Sequence, residues 1–182
     1  DAFLCEDGTE TDMDLGNYER FLDKNLGSHN FITMGQIYKA VIDRERDNGY
    51  GGEDIEAIPH VTDEIITRIK KAAEIDKAEI CLVELGGTAG EYQNVLYYEA
   101  SRIMKLRERD TVVHVHVSYL PTPSHIGEPK TKPTQLSVKS LNSMSIQPDF
   151  LVARTEGELD LRRRERLALF CNIHPEDIIM NQ

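Results

Sequence analysis

Short apolar runs and helical stripes alternate along almost the whole chain, and this order constrains the fold more than any other feature. The strand-like runs are "AFLC" (2–5), "IEAI" (55–58), "EICLVEL" (79–85), "TVVHVHVSYL" (111–120), "DFLVAR" (149–154) and "DIIM" (177–180). Between them stand stretches with apolar residues at helical spacing: "LGNYERFLDKNL", "TMGQIYKAVIDRERDNG", "DEIITRIKKAAE", "NVLYYEASRIMKLRER", "TQLSVKSLNSM" and "LRRRERLALFCN". Alternation of this kind predicts an α/β fold, a mostly parallel sheet with helices on both faces. "EICLVEL" is nearly unbroken in its apolarity, as a central parallel strand covered on both faces should be. Thr33 and Thr62 are placed to cap the helices that follow them, Gly49 lies beyond the end of one, and Pro59 stops "IEAI".

The chain is acidic, with formal net charge −11 over 182 residues. That argues against nucleic acid as a main partner, because a phosphate backbone needs a basic footprint. No apolar run approaches the roughly 18 residues that span a bilayer. Three cysteines, Cys5, Cys81 and Cys171, stand far apart without metal-ligand spacing and read as buried free thiols in a reducing compartment. The chain opens on "DAFLCEDGTE", with neither an initiator Met nor a targeting segment, and reads as a piece of something longer.

In open parallel sheets, ligands bind beyond the carboxyl ends of the strands. Glu84 ends one predicted strand and is followed by "LGGTAGE", where glycines bare the backbone amides; this combination suits a magnesium–phosphate site. Asp12 and Asp14, two apart in "ETDMDLG", could help to hold a divalent metal, and Asp14 could equally start a helix as its N-cap. "KTKPTQ" is the most informative loop: two lysines, a stiffening Pro133, and Thr134 placed to cap a helix make an anion site inside an acidic chain. "LRRRERL" reads as a mostly solvated helix face. His114 and His116 share one strand face, but no third ligand accompanies them, and His60 could be a polar residue at a strand end. No G-x-x-x-x-G-K-[ST] occurs anywhere in the chain.

These blocks carry a resemblance. "DGTETDMDLGNYERF", "ITMGQIYKAVIDRERDNGYGGEDIEAIPHVTDEI", "VELGGTAGE", "KTKPTQLSVKSL", "SIQPDFLVAR" and "LALFCN" resemble consecutive blocks of CTP synthase, in order and in spacing. The resemblance implies that residues 1–182 are part of the amidoligase (synthetase) domain, a P-loop-type fold, here without the phosphate loop and without the glutaminase domain. It implies a cytoplasmic ATP-dependent C–N ligase that makes CTP from UTP, with magnesium, ATP as co-substrate, ammonia from a glutaminase, and a homotetrameric assembly. By the same resemblance Asp14 and Glu84 hold the metal, Asp14 also serving ATP. Lys130, Thr131, Lys132, Pro133, Thr134, Gln135 and Arg166 bind UTP or CTP, together with Glu91, Tyr92 and Gln93.

Departures are informative. Glu91, Tyr92 and Gln93 stand where the family has Asp-Ile-Glu, so one charge is lost and a ring replaces an aliphatic chain; inhibition by CTP or the ribose contact is expected to differ. Arg166 replaces a lysine, and Glu56 stands where the family often has glutamine. A truncated, inactive homologue that binds pyrimidine nucleotides or serves assembly is the rival expectation, and the 182 residues alone are expected to make no CTP.

Overall fold

A computed structural model describes residues 2–124 and 127–182; His125 and Ile126, inside the long loop after "SYLP", lie outside the described residues. The chain divides into two compact units, Asp1–Glu84 and Leu85–Gln182.

In the first unit, β1 (Ala2–Leu4) and β2 (Glu10–Asp12) form an antiparallel hairpin. β2 is unexpected from sequence, because "ETD" has no apolar alternation. It forms because Gly8 takes φ 85° and returns the chain alongside β1. α1 (Met13–Leu22) follows at once, then α2 (Met34–Arg46) and α3 (Thr62–Ile75). Thr33 caps α2 as predicted: its hydroxyl accepts from the Gln36 amide at 3.3 Å, and the Gln36 side chain accepts from the Thr33 amide in return. Thr62 does not cap. It is the first residue of α3, fully buried, and its hydroxyl donates back to the Pro59 carbonyl at 2.9 Å. α2 and α3 pack together, with Ile37, Val41, Ile65 and Ile66 buried. Burial of each such side chain contributes about 1.5–3 kcal/mol.

Two predicted strands in this unit are absent. "IEAI" yields irregular backbone and a helical turn, Ala57–Val61, because Pro59 has no amide to donate to a ladder. "EICLVEL" is irregular throughout and exposed up to Glu84, with Ile80 at 81% and Leu82 at 90% of their surface in solvent. An apolar run becomes a strand only where a neighbour completes its hydrogen bonds, and among the described residues no strand lies beside this one.

The second unit is an α/β fold. α4 (Val95–Arg107) precedes β3 (Val115–Tyr119), α5 (Lys132–Ser143), β4 (Phe150–Arg154), α6 (Leu161–Cys171) and β5 (Ile178–Asn181). β3, β4 and β5 lie side by side and parallel, in the register His116↔Leu151↔Ile178. Leu120, Val138, Leu151, Leu167, Cys171 and Ile178 form the core between this sheet and helices α5 and α6. Along β3 the alternation is inverted. His114, His116 and Ser118 are partly buried, whereas Val115 and Val117 keep 53% and 57% of their surface in solvent. No helix among the described residues is long and apolar enough to cross a membrane.

Candidate nucleotide and metal sites

In the first unit, Asp12, not Asp14, caps α1: its Oδ1 accepts from the Met13 amide at 2.8 Å. Asp14 then falls in the first turn, where a negative charge complements the helix dipole. Glu84 ends the unpaired "EICLVE" segment. Its carboxyl is pushed above the ordinary carboxylate range, first by partial desolvation although the residue counts as exposed by area, then by the charges of Asp14 and Asp12. The two carboxylates expected to share a metal therefore share one negative field, which a divalent cation would relieve. No group of three or more His, Cys, Asp or Glu side chains among the described residues is arranged to hold a metal ion by itself. Magnesium takes one or two carboxylates and completes its shell with water and phosphate oxygens.

In the second unit, residues 130–135 open α5. The turn is tied down on both sides: the Lys130 amide donates to the Pro121 carbonyl at 2.9 Å, and Glu128 pairs with Arg163 at 2.7 Å. Pro133 sits in the first turn of the helix, where its missing amide costs nothing. Thr134 was expected to cap α5 and does not. The helix begins two residues earlier, and Thr134 lies inside it at 0% exposure. The N-cap is Thr131, whose hydroxyl makes no capping bond and instead accepts from the Gln135 side chain at 3.1 Å. First-turn amides without a side-chain cap and two lysines that make no ion pair among the described residues leave a positive helix end open to solvent.

The "GGTAGE" loop folds back on itself. Glu91 accepts from the Thr88 amide at 3.2 Å and from the Gln93 side chain at 2.6 Å, and the Asn94 side chain donates to the Gly86 carbonyl. Tyr92 is left 94% exposed. Gly90, at φ 88°, is required: a Cβ there would overlap the Ser140 hydroxyl of α5, which donates to the Ala89 carbonyl at 3.2 Å. Arg166 lies on α6, exposed, with its guanidinium 5.8 Å from the centre of the Phe170 ring.

Other residues singled out from sequence have structural work. His60 accepts from the Glu56 amide through Nδ1 at 3.1 Å and packs edge-on against Tyr50. His114 and His116 bond through Nε2 to the hydroxyls of Ser101 and Ser137, at 2.7 and 2.8 Å. Burial lowers the pKa of both rings below the ordinary histidine value, so each favours the neutral form. Arg163 is paired with Asp160 and Glu128, not merely solvated. Cys5 and Cys171 are buried free thiols, but Cys81 is exposed because its run forms no strand. Sequence reasoning missed Asp12 as the cap, and it missed Ser118, Ser137 and Ser140 as partners of the sheet and the glycine loop. Serines spaced by three in "TQLSVKS" were the available signal.

Comparison with known proteins decides what these parts belong to. A family model described as CTP synthase N-terminus matches residues 1–182. The chain belongs to the CTP synthase family. It is 48% identical over 181 residues to a CTP synthase of Methanopyrus kandleri, covering 98% of this chain and 34% of that protein. It is 47% identical over 180 residues to one from Pyrococcus horikoshii, covering 98% and 33%. A CTP synthase of Caldanaerobacter subterraneus is 44% identical over 183 residues, covering all of this chain and 34% of its own length. The chain thus spans about a third of the length of these curated relatives.

Proposed function

We propose that residues 1–182 are the amidoligase part of an ATP-dependent C–N ligase that aminates UTP to CTP. The observation that carries the reading is the open, doubly lysine-bearing start of α5, held on a packed seat. A triphosphate carries about four negative charges, and two ammonium groups at a helix N-terminus oppose them. In the reaction, the pyrimidine O4 takes the γ-phosphoryl group of ATP, releasing ADP. Ammonia then attacks C4, and the C4–O bond breaks with loss of inorganic phosphate.

Within that sequence, Lys130 and Lys132 receive the UTP phosphates, while Thr131 and Gln135 brace the turn through their own hydrogen bond. Arg166 and the exposed Tyr92 contribute to the pyrimidine nucleotide site, and Glu91 and Gln93 hold the turn that carries Tyr92. Asp14 and Glu84 would hold magnesium, which neutralises ATP phosphate charge when bound. The Glu84 carboxyl, raised first by desolvation and then by the charges of Asp14 and Asp12, supports that assignment. Ammonia from a glutaminase and a tetrameric assembly belong to the same proposal.

The test is steady-state kinetics of the full-length protein with free ammonia, comparing the parent with the Lys130→Ala/Lys132→Ala variant. The reading expects the KM for UTP to rise sharply while the KM for ATP holds. Unchanged UTP kinetics would return the lysines to a solvated loop. Nucleotide binding without turnover in the parent would favour an inactive binding homologue.

A further inference from the structure

The inverted alternation of β3 is the feature that stability alone does not explain. Burying histidines and a serine on the helix-facing side of a strand, while two valines face solvent, gains nothing over the reverse unless their hydrogen bonds fix something. The bonds of His116 and Ser118 fix one helix, α5, while His114 bonds Ser101 of α4. The inner row of α5 is Thr134, Ser137 and Ser140, spaced by three and therefore on one face. Thr134 receives the Ser118 proton at 2.9 Å and turns its own toward the Tyr119 carbonyl at 3.4 Å. Ser137 bonds His116 Nε2 at 2.8 Å, and Ser140 donates to the Ala89 carbonyl at 3.2 Å. Apolar packing lets a helix slide or roll by a fraction of an ångström, whereas directional bonds at three successive turns set both its rotation and its position along the axis.

Both ends of that row carry parts of the proposed pyrimidine nucleotide site. The first end carries Lys130 and Lys132, because Thr134 lies two residues beyond Lys132. The last end carries the loop of Gly90, Glu91 and Tyr92, which hangs from Ser140. The side chain of Thr134, fully buried with its hydroxyl committed to the sheet, has nothing left to offer a ligand.

We propose that His116 and Ser118 of β3, acting through Ser137 and Thr134 of α5, are positioning residues for the pyrimidine nucleotide. They set the distance between the lysine turn and the glycine loop. The inference rests on the functional reading above. It moves Thr134 from ligand contact to support.

The experiment measures the KM for UTP, the KM for ATP, kcat and the thermal unfolding midpoint of the full-length protein, with ammonia as nitrogen source. The variants are Ser137→Ala, Thr134→Val, His116→Phe, His116→Gln and the Lys130→Ala/Lys132→Ala pair. Loss of one seat bond is expected to raise the KM for UTP by about 5-fold or more, with the KM for ATP unmoved. His116→Gln, which keeps a hydrogen-bonding end, is expected to recover most of the loss seen in His116→Phe. The inference is overturned if folded seat variants keep the parental KM for UTP, or if both KM values rise together. If His116→Phe does not fold, Ser137→Ala decides, since it removes a single oxygen. A lysine pair without effect would sink the functional reading. A lysine effect with silent seat variants would sink only this inference.

Discussion

Asp12, Asp14 and Glu84 in the first unit and the lysine turn in the second are both clusters of like charge, yet they are built in opposite ways. Glu84 ends an exposed segment without secondary structure, and what marks it is a carboxyl raised first by desolvation and then by the charges of Asp14 and Asp12. Residues 130–135 begin a helix whose inner face is bonded residue by residue to a sheet with Leu151 and Ile178 at its core. Magnesium keeps several of its waters, so a site for it needs few side chains from the protein. A turn that must recognise a fixed polyphosphate geometry gains from support prepared in advance.

Four experiments can break or sharpen that contrast. The largest effect is expected from the Lys130→Ala/Lys132→Ala variant of the full-length protein. Each charge-assisted contact contributes about 1.5–3 kcal/mol, so the KM for UTP should rise by about 100-fold or more. Next comes a matched pair of leucines. Leu151→Ala removes a fully buried side chain and should cost about 2–5 kcal/mol of unfolding free energy in urea, whereas Leu82→Ala, at 90% exposure, should stay within about 0.5 kcal/mol. A costly Leu82→Ala would mean that the "EICLVEL" run is packed after all.

Third, Asp14→Asn should reduce ATP-dependent turnover about tenfold while leaving the unfolding midpoint in place. Because Asp14 is one of the charges raising the Glu84 carboxyl, the same change should bring Glu84 down toward its ordinary value, read by carbon NMR titration. An unmoved Glu84 would separate the two carboxylates.

The smallest effect is in acid. His114 and His116 have depressed pKa values from burial; at His114 the positive charge of Lys105 adds to that and Asp149 opposes it. Their contribution to stability is present above the ordinary histidine value near 6.5 and is lost as pH falls through the lower folded value. Asp7 and Asp76 are lowered to about 2, Asp7 by hydrogen bonds from Thr9 and the Ser28 amide, Asp76 by those from Lys24 and Asn30. Their contribution holds above the ordinary value of 3.8 and is lost toward pH 2. Hydrogen exchange between pH 7 and pH 5 should therefore show amides of β3 and α5 losing protection before those of the 23–30 segment. The reverse order would contradict the pairing of the buried histidines.

By itself the sequence determined the helices and the three parallel strands of the second unit. Their periodicity is local, as is the cap that Thr33 supplies to α2 in the first unit, three residues from the amide it serves. It also located the lysine turn and the acidic pair, because unusual charge and glycine placement are properties of the chain. It could not decide whether "EICLVEL" and "IEAI" become strands, since a strand needs a partner supplied from far along the chain, and hydrophobicity records only the wish for one. Nor could it tell that Thr134 faces the core while Thr131 starts the helix: a threonine that caps and one that props differ by two positions and by which neighbour comes within 3 Å. Tertiary structure alone decided that Ser118 meets Thr134 and His116 meets Ser137, because residues 16 and 21 apart in sequence become neighbours only when α5 lies down on β3.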